Sequence, residues 1–137
     1  MPEESLHGRG VFLPSHHLLS DGEIELIVRV FTSLGVHKVR LTGGEPLLRP
    51  GFVELVSRIS AIEGITDLAL TTNAVLLPRY AEALKKAGLG RVTVSLDSLD
   101  ETVFRQMAGG RGTVSEVLDG IKAAEEAGFR NLKINTV

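Results

Sequence analysis

The residues in this chain best suited to chemistry lie where a strand-like run gives way to glycine: Leu41-Thr42-Gly43-Gly44-Glu45-Pro46-Leu47-Leu48. Paired glycines permit positive φ and let a ligand approach the backbone closely. Pro46 fixes the exit of the turn. Exposed backbone groups and the Glu45 carboxylate suit an amino-acid ammonium group. Taken alone, the glycines read first as ordinary strand-to-helix punctuation. A second set is Arg40, Thr71, Ser95 and Lys133, which fall on the polar sides of four alternating segments. Arginine offers phosphate oxygens a rigid fork and lysine a point charge.

Two further candidates carry less. His16-His17 are adjacent, so their side chains point apart, and they read as part of a solvated loop. Gly109-Gly110-Arg111-Gly112 precedes a helix start at Thr113. Helix N-termini bind phosphate, yet the same string is a natural flexible loop. The four histidines and the acidic residues show no metal-ligand or nucleophile–base spacing. Cysteine is absent, which excludes disulfides, zinc–thiolate sites and cysteine-ligated clusters within this chain.

The elements that must position these residues alternate in period. Residues 1–19 show no periodic pattern and read as an N-terminal loop segment. Ser20 and Glu23 form a capping-box signature before a helix over 21–34, whose apolar stripe is Ile24, Ile27, Val28, Phe31 and Leu34. A strand follows to Thr42. Phe52, Leu55, Val56, Ile59 and Ile62 predict a second helix, and 67–71 a strand. Pro78 opens a third helix, and 91–97 alternates cleanly as a strand. A short helix over 100–107 follows, and then a helix capped by Thr113 and Glu116. The end, 131–137, reads as a strand. Strands separated by helices imply parallel βαβ crossovers and an α/β fold. No linker divides the chain, so residues 1–137 form a single domain. Both ends look like cuts through a larger barrel.

In each of four strands one face is apolar: Val39 and Leu41; Leu68 and Leu70; Val92, Val94 and Leu96; Leu132 and Ile134. The opposite face carries Arg40 and Thr42; Ala69 and Thr71; Thr93, Ser95 and Asp97; Lys133 and Asn135. Parallel strands in α/β proteins are usually apolar on both faces. Four strands departing in the same sense predict a polar lumen, with Arg40, Thr71 and Ser95 near the strand ends where α/β folds place ligands. Lys133 falls earlier in its strand.

The 137 residues are 43% hydrophobic and 23% charged, with a net charge of −2, an ordinary globular balance. There is no basic footprint for nucleic acid, no polybasic membrane patch and no apolar run of about 18 residues. Met1-Pro2-Glu3-Glu4 lacks the features of a signal peptide. The simplest expected location is the cytoplasm.

Gly43-Gly44-Glu45-Pro46 resembles the GGEP motif of radical S-adenosylmethionine (SAM) enzymes. The longer string Val39-Arg40-Leu41-Thr42-Gly43-Gly44-Glu45-Pro46-Leu47-Leu48-Arg49 is similar to the GTP 3′,8-cyclase family of molybdenum-cofactor biosynthesis. So are Leu70-Thr71-Thr72-Asn73, the run from Arg91 to Asp100, and Lys133-Ile134-Asn135. Met1-Pro2-Glu3-Glu4 resembles the residues following that family's third cluster cysteine. The resemblance covers essentially the whole chain. It implies a partial TIM-like (β/α) radical SAM barrel of about four parallel strands. It also implies SAM contacts at Gly43, Gly44, Glu45 and Ser95, and GTP contacts at Arg40, Thr71 and Lys133. The family, radical SAM lyases, uses a 4Fe–4S cluster to cleave SAM and start cyclisation of GTP. The cluster cysteines of that family are missing here, so the chain by itself is expected to be inactive. Asn73-Ala74 also stands where the family has Asn-Gly. A non-catalytic partial barrel and a portion of another radical SAM enzyme remain as alternatives. Unpaired sheet edges predict self-association.

Overall fold

The computed structural model describes residues 10–14 and 19–136. His16-His17 lie outside the described residues. The sheet has five strands, all parallel, in the spatial order of the sequence: β1 (Gly10–Pro14), β2 (Lys38–Thr42), β3 (Asp67–Thr72), β4 (Arg91–Ser95) and β5 (Lys133–Asn135). The helices between them are α1 (Asp21–Ser33), α2 (Phe52–Ser60), α3 (Leu77–Ala87), α4 (Glu101–Ala108) and α5 (Val114–Glu126). A 3₁₀ turn at Pro46–Leu48 precedes α2.

One sequence-based expectation is corrected here. The first 19 residues are not all loop, because Gly10–Pro14 pairs in parallel with Lys38–Thr42. The strand count is therefore five rather than four. A five-residue strand containing glycine and ending in proline carries no periodic signal. Pairing to the edge of β2 supplies the order that local sequence does not.

Strand order separates two architectures. A doubly wound sheet reverses its order at a switch point and takes helices on both faces. Here each strand lies beside its sequence neighbour, the arrangement of a (β/α) barrel wall with its helices on one side. That side is the apolar face expected from alternation. Val39, Leu41, Leu68, Leu70, Val92 and Val94 are buried. They lie in one hydrophobic cluster with Ile24 and Val28 of α1, Leu55, Val56 and Ile59 of α2, Leu77, Ala81 and Leu84 of α3, and Val117 and Ala124 of α5.

Caps set the helix limits. Ser20 accepts from Glu23 N (3.1 Å) while Ser20 N donates to the Glu23 carboxylate (3.4 Å), a reciprocal capping box. Asp100 accepts from Val103 N, and Thr113 from Glu116 N. Gly88 ends α3 at φ 109°, above Ser60 of α2.

The tightest helix–loop contact is at Gly120 in α5. A Cβ added there would land on the carbonyl oxygen of Ala74, in the loop after β3. Ala74 itself is fully buried and has φ 69°. It holds a left-handed conformation that glycine adopts more easily.

Candidate functional site

Four elements build the site: the turn after β2, the C-terminal ends of β3 and β4, and α4 with the loop that follows it. Gly43 has φ 142°, a conformation that its backbone position demands of glycine. Gly44 does not need glycine for that reason, and a Cβ added to it would meet nothing within 4 Å. Its bare backbone is exposed at the mouth of a pocket of about 350 Å³, within the ~300–1,000 Å³ range of small-molecule sites. The pocket is lined by Thr42, Gly43, Gly44 and Glu45 from the turn, and by Thr71, Thr72 and Asn73 from the end of β3. Ser95 and Asp97 follow from β4, and Phe104, Met107, Ala108 and Arg111 form the α4 side.

The Glu45 carboxylate is committed to the chain itself. Oε2 accepts from Leu47 N at 2.9 Å and Oε1 from Asn73 N at 2.8 Å. The Thr72 hydroxyl, 2.9 Å from both oxygens, donates to the carboxylate and accepts from Ala74 N at 3.1 Å. Glu45 therefore ties the glycine turn to the end of β3. From the other side, Arg49 Nη2 donates to Leu19 O and Asp21 Oδ1, both at 2.7 Å, fastening the same segment to the start of α1.

Deeper in the lumen, Arg40 Nη1 donates to Thr71 Oγ1 (3.1 Å) and Thr93 Oγ1 (3.0 Å). Arg40 is on β2 and Thr93 on β4, about 10 Å apart at ordinary strand spacing. The arginine side chain spans that gap across β3, where its register partner is the small Ala69. Below it, Arg91 Nε and Nη2 grip Asp67 at 2.9 and 2.6 Å. Partial burial, with the Arg91 charge, holds the Arg40 guanidinium below its usual pKa; Asp67 pulls the other way. An anion beside Arg40 would offset both costs.

The structure thus brings Gly43, Gly44, Glu45, Thr71 and Ser95 into one pocket, with Arg40 bonded beneath it to Thr71. Lys133 is outside the pocket lining. It is in register with Thr93 on exposed β5, and its side chain has no hydrogen bond or ion pair among the described residues. Among the residues absent from the sequence-derived site, two hold its members in place. Thr93 completes the Arg40 set. Thr72 anchors Glu45, and its signal was a threonine ending the apolar face of Leu68 and Leu70. The Gly109–Gly112 loop is no phosphate cradle at the start of α5: Glu101 Oε2 already accepts from Val114 N at 3.1 Å, and Thr113 caps the helix.

No helix among the described residues is long and apolar enough to cross a membrane, and none of their His, Asp and Glu residues group as a metal site. With no cysteine in the chain, its residues do not fit an iron–sulfur cluster. Gly44 leaves open space at the pocket mouth, where a ligand can approach the backbone.

A parallel one-sided barrel wall with a glycine turn at the strand ends is what radical SAM domains share, and the radical SAM superfamily profile matches residues 8–137. The chain belongs to this superfamily. Within it, the chain is 58% identical over 125 residues to the GTP 3′,8-cyclase of Xanthomonas campestris pv. campestris (strain 8004), covering 91% of this chain and 37% of that relative. It is 48% identical over its whole length to the GTP 3′,8-cyclase of Thermodesulfovibrio yellowstonii, covering 41% of it. The chain thus spans about two-fifths of the relatives it matches. The crystal structure of methylornithine synthase shares the fold, with a TM-score of 0.69 at 18% identity, over 88% of this chain and 36% of that one.

Proposed function

We propose that this chain provides the SAM-binding turn and part of the GTP site of a GTP 3′,8-cyclase of molybdenum-cofactor biosynthesis. The observation that carries the reading is Gly44, a glycine that its own backbone does not require, facing open space at the pocket mouth. In this reading Gly43 and Gly44 present backbone to the methionyl end of SAM. Glu45 holds that backbone in place, and Ser95 contacts SAM from β4. Arg40, Thr71 and Lys133 face GTP, with Thr93 orienting Arg40. Bound SAM supplies the radical source; these residues bind and orient the two molecules. The cluster ligands belong to a segment outside this chain's residues. Association of two copies through the edge of β5 is a further part of the proposal, since Lys133–Asn135 are all exposed.

The test is a chimaera carrying this chain in place of the matching segment of the Thermodesulfovibrio relative, reconstituted anaerobically with iron and sulfide. It should consume GTP in a SAM-dependent manner. Intact SAM binding without GTP turnover would overturn the substrate assignment. Gly44→Ala supplies a sharper prediction. Its melting temperature should match the parent, because nothing lies within 4 Å of the new methyl. Its SAM affinity, read by calorimetric titration, should fall about tenfold or more, as expected where a Cβ blocks close backbone approach.

A further inference from the structure

We infer that Ala69 is a positioning residue for the phosphate end of the site: its small side chain leaves open the lane across β3 through which Arg40 reaches Thr93. The inference rests on the GTP reading above and deepens it. Three observations lead there.

The first is register. Arg40, Ala69 and Arg91 are partners across β2, β3 and β4, so they lie side by side on the lumen face. Arg40 nevertheless bonds to Thr71 and Thr93, which pair with each other one layer nearer the strand ends. Thr93 is two strands from Arg40. The arginine therefore crosses β3 over the ground between Ala69 and Thr71.

The second is burial. Ala69 is 2% exposed, although it is on the face that the helices leave uncovered. It is not part of the hydrophobic cluster between sheet and helices. The crossing arginine supplies the cover that no helix does. The third is the path of Arg91. It flanks Ala69 from the β4 side, but its Nε and Nη2 are drawn down to Asp67, two residues earlier on the same face of β3. Two guanidiniums that start at one height thus leave in opposite directions, and the lane over Ala69 belongs to Arg40.

A β-branched side chain at position 69 would fill that lane while suiting the strand itself. Arg40 would be turned back over β2 and would lose Thr93. Its rigid fork would then no longer be held where phosphate oxygens can meet it.

The test is calorimetric titration of the chain with GTP and with SAM, for the parent, Ala69→Val, Ala69→Ser, Arg40→Ala and the Arg40→Ala, Ala69→Val pair. Ala69→Val should lower GTP affinity about tenfold, the scale of one hydrogen bond to a charged group, and leave SAM affinity unchanged. Ala69→Ser, with one added atom instead of two, should lose less. In the Arg40→Ala background Ala69→Val should cost nothing further, since a residue that acts through Arg40 has no effect once Arg40 is gone. A further loss in that background, an equal loss for GTP and SAM, or no loss of GTP affinity in Ala69→Val would each overturn the assignment. Thr93→Val frees the arginine from the far end without filling the lane, and keeps the question open to test if Ala69→Val does not fold. It should reproduce the loss confined to GTP, and unchanged GTP affinity there would count against the lane as well. A parent chain that binds SAM but not GTP would instead sink the GTP reading, and this inference with it.

Discussion

Glu45→Gln should unfold the site although it changes one atom. The two backbone donors reach different carboxylate oxygens, Leu47 N at Oε2 and Asn73 N at Oε1. A glutamine has one carbonyl oxygen, so one of these N–H groups must face the amide NH₂. The Thr72 hydroxyl can turn to compensate only by giving up its place between the two oxygens. Hydrogen bonds to charged groups contribute about 1.5–3 kcal/mol each, and a stranded donor adds its desolvation cost. We expect a loss of about 3 kcal/mol, or on the order of 10 °C in melting temperature for a domain of this size. SAM affinity should fall with it. Circular dichroism melts and calorimetric titration read the two effects. A glutamine variant that melts like the parent but binds SAM poorly would show that Glu45 is a ligand contact and not a strap.

Gly120→Ala should be similarly costly, and the sign of the effect is informative. In a helix interior, glycine-to-alanine ordinarily stabilises by about 1 kcal/mol. Here the new methyl would overlap the Ala74 carbonyl, which is backbone and cannot swing aside. Overpacking costs about 1–3 kcal/mol and sometimes more; we expect the upper end, about 3 kcal/mol. Relief requires α5 and the 73–75 loop to separate. That loop holds Asn73 at the pocket, Val75 against Gly112, and through them the Glu45 and Arg111 sides of the site. Ligand affinity should therefore drop in a variant whose substitution is outside the pocket lining. Chemical denaturation and a SAM titration would check both. A variant at least as stable as the parent would mean that α5 and the loop are less tightly apposed than described.

Much of this was legible before any coordinates. Period-two alternation assigned Arg40, Thr71, Thr93 and Ser95 to one face because a strand's geometry leaves no other option. The capping residues Ser20 and Thr113 are where helices begin, because their side chains satisfy backbone donors that helices leave open. Other features were hidden for physical reasons. β1 gains its order from the neighbouring strand, so local sequence does not announce it. The role of Glu45 depends on Thr72 and Asn73, which are distant in sequence and meet the turn only after β2 and β3 pair. Alternation gave Lys133 its face but not its distance from the pocket. Met107 was invisible as a site residue, since helical periodicity gives a helix's apolar side but not how it is set over the sheet; Arg111 stood out only within the Gly109–Gly112 string. Ala74 shows the opposite case. Sequence marked it as a departure from Asn-Gly, and the fold keeps the left-handed backbone that glycine would favour, now with a buried methyl group.

The sequential strand order also has a temporal meaning. From β2 onward each strand pairs with the strand made just before it, across one helical crossover, or across α4 and α5 in the case of β5. Every pairing thus closes a short loop, which is entropically cheap and kinetically fast. A chain of this kind can assemble as it emerges from the ribosome, without waiting for distant segments. The Arg40–Thr71–Thr93 link is complete once β4 docks, and the glycine turn is clamped earlier still, when β3 meets β2. Synthesis itself would then set the order in which the binding surface appears: the turn first, the arginine bridge second, and the lysine of β5 last.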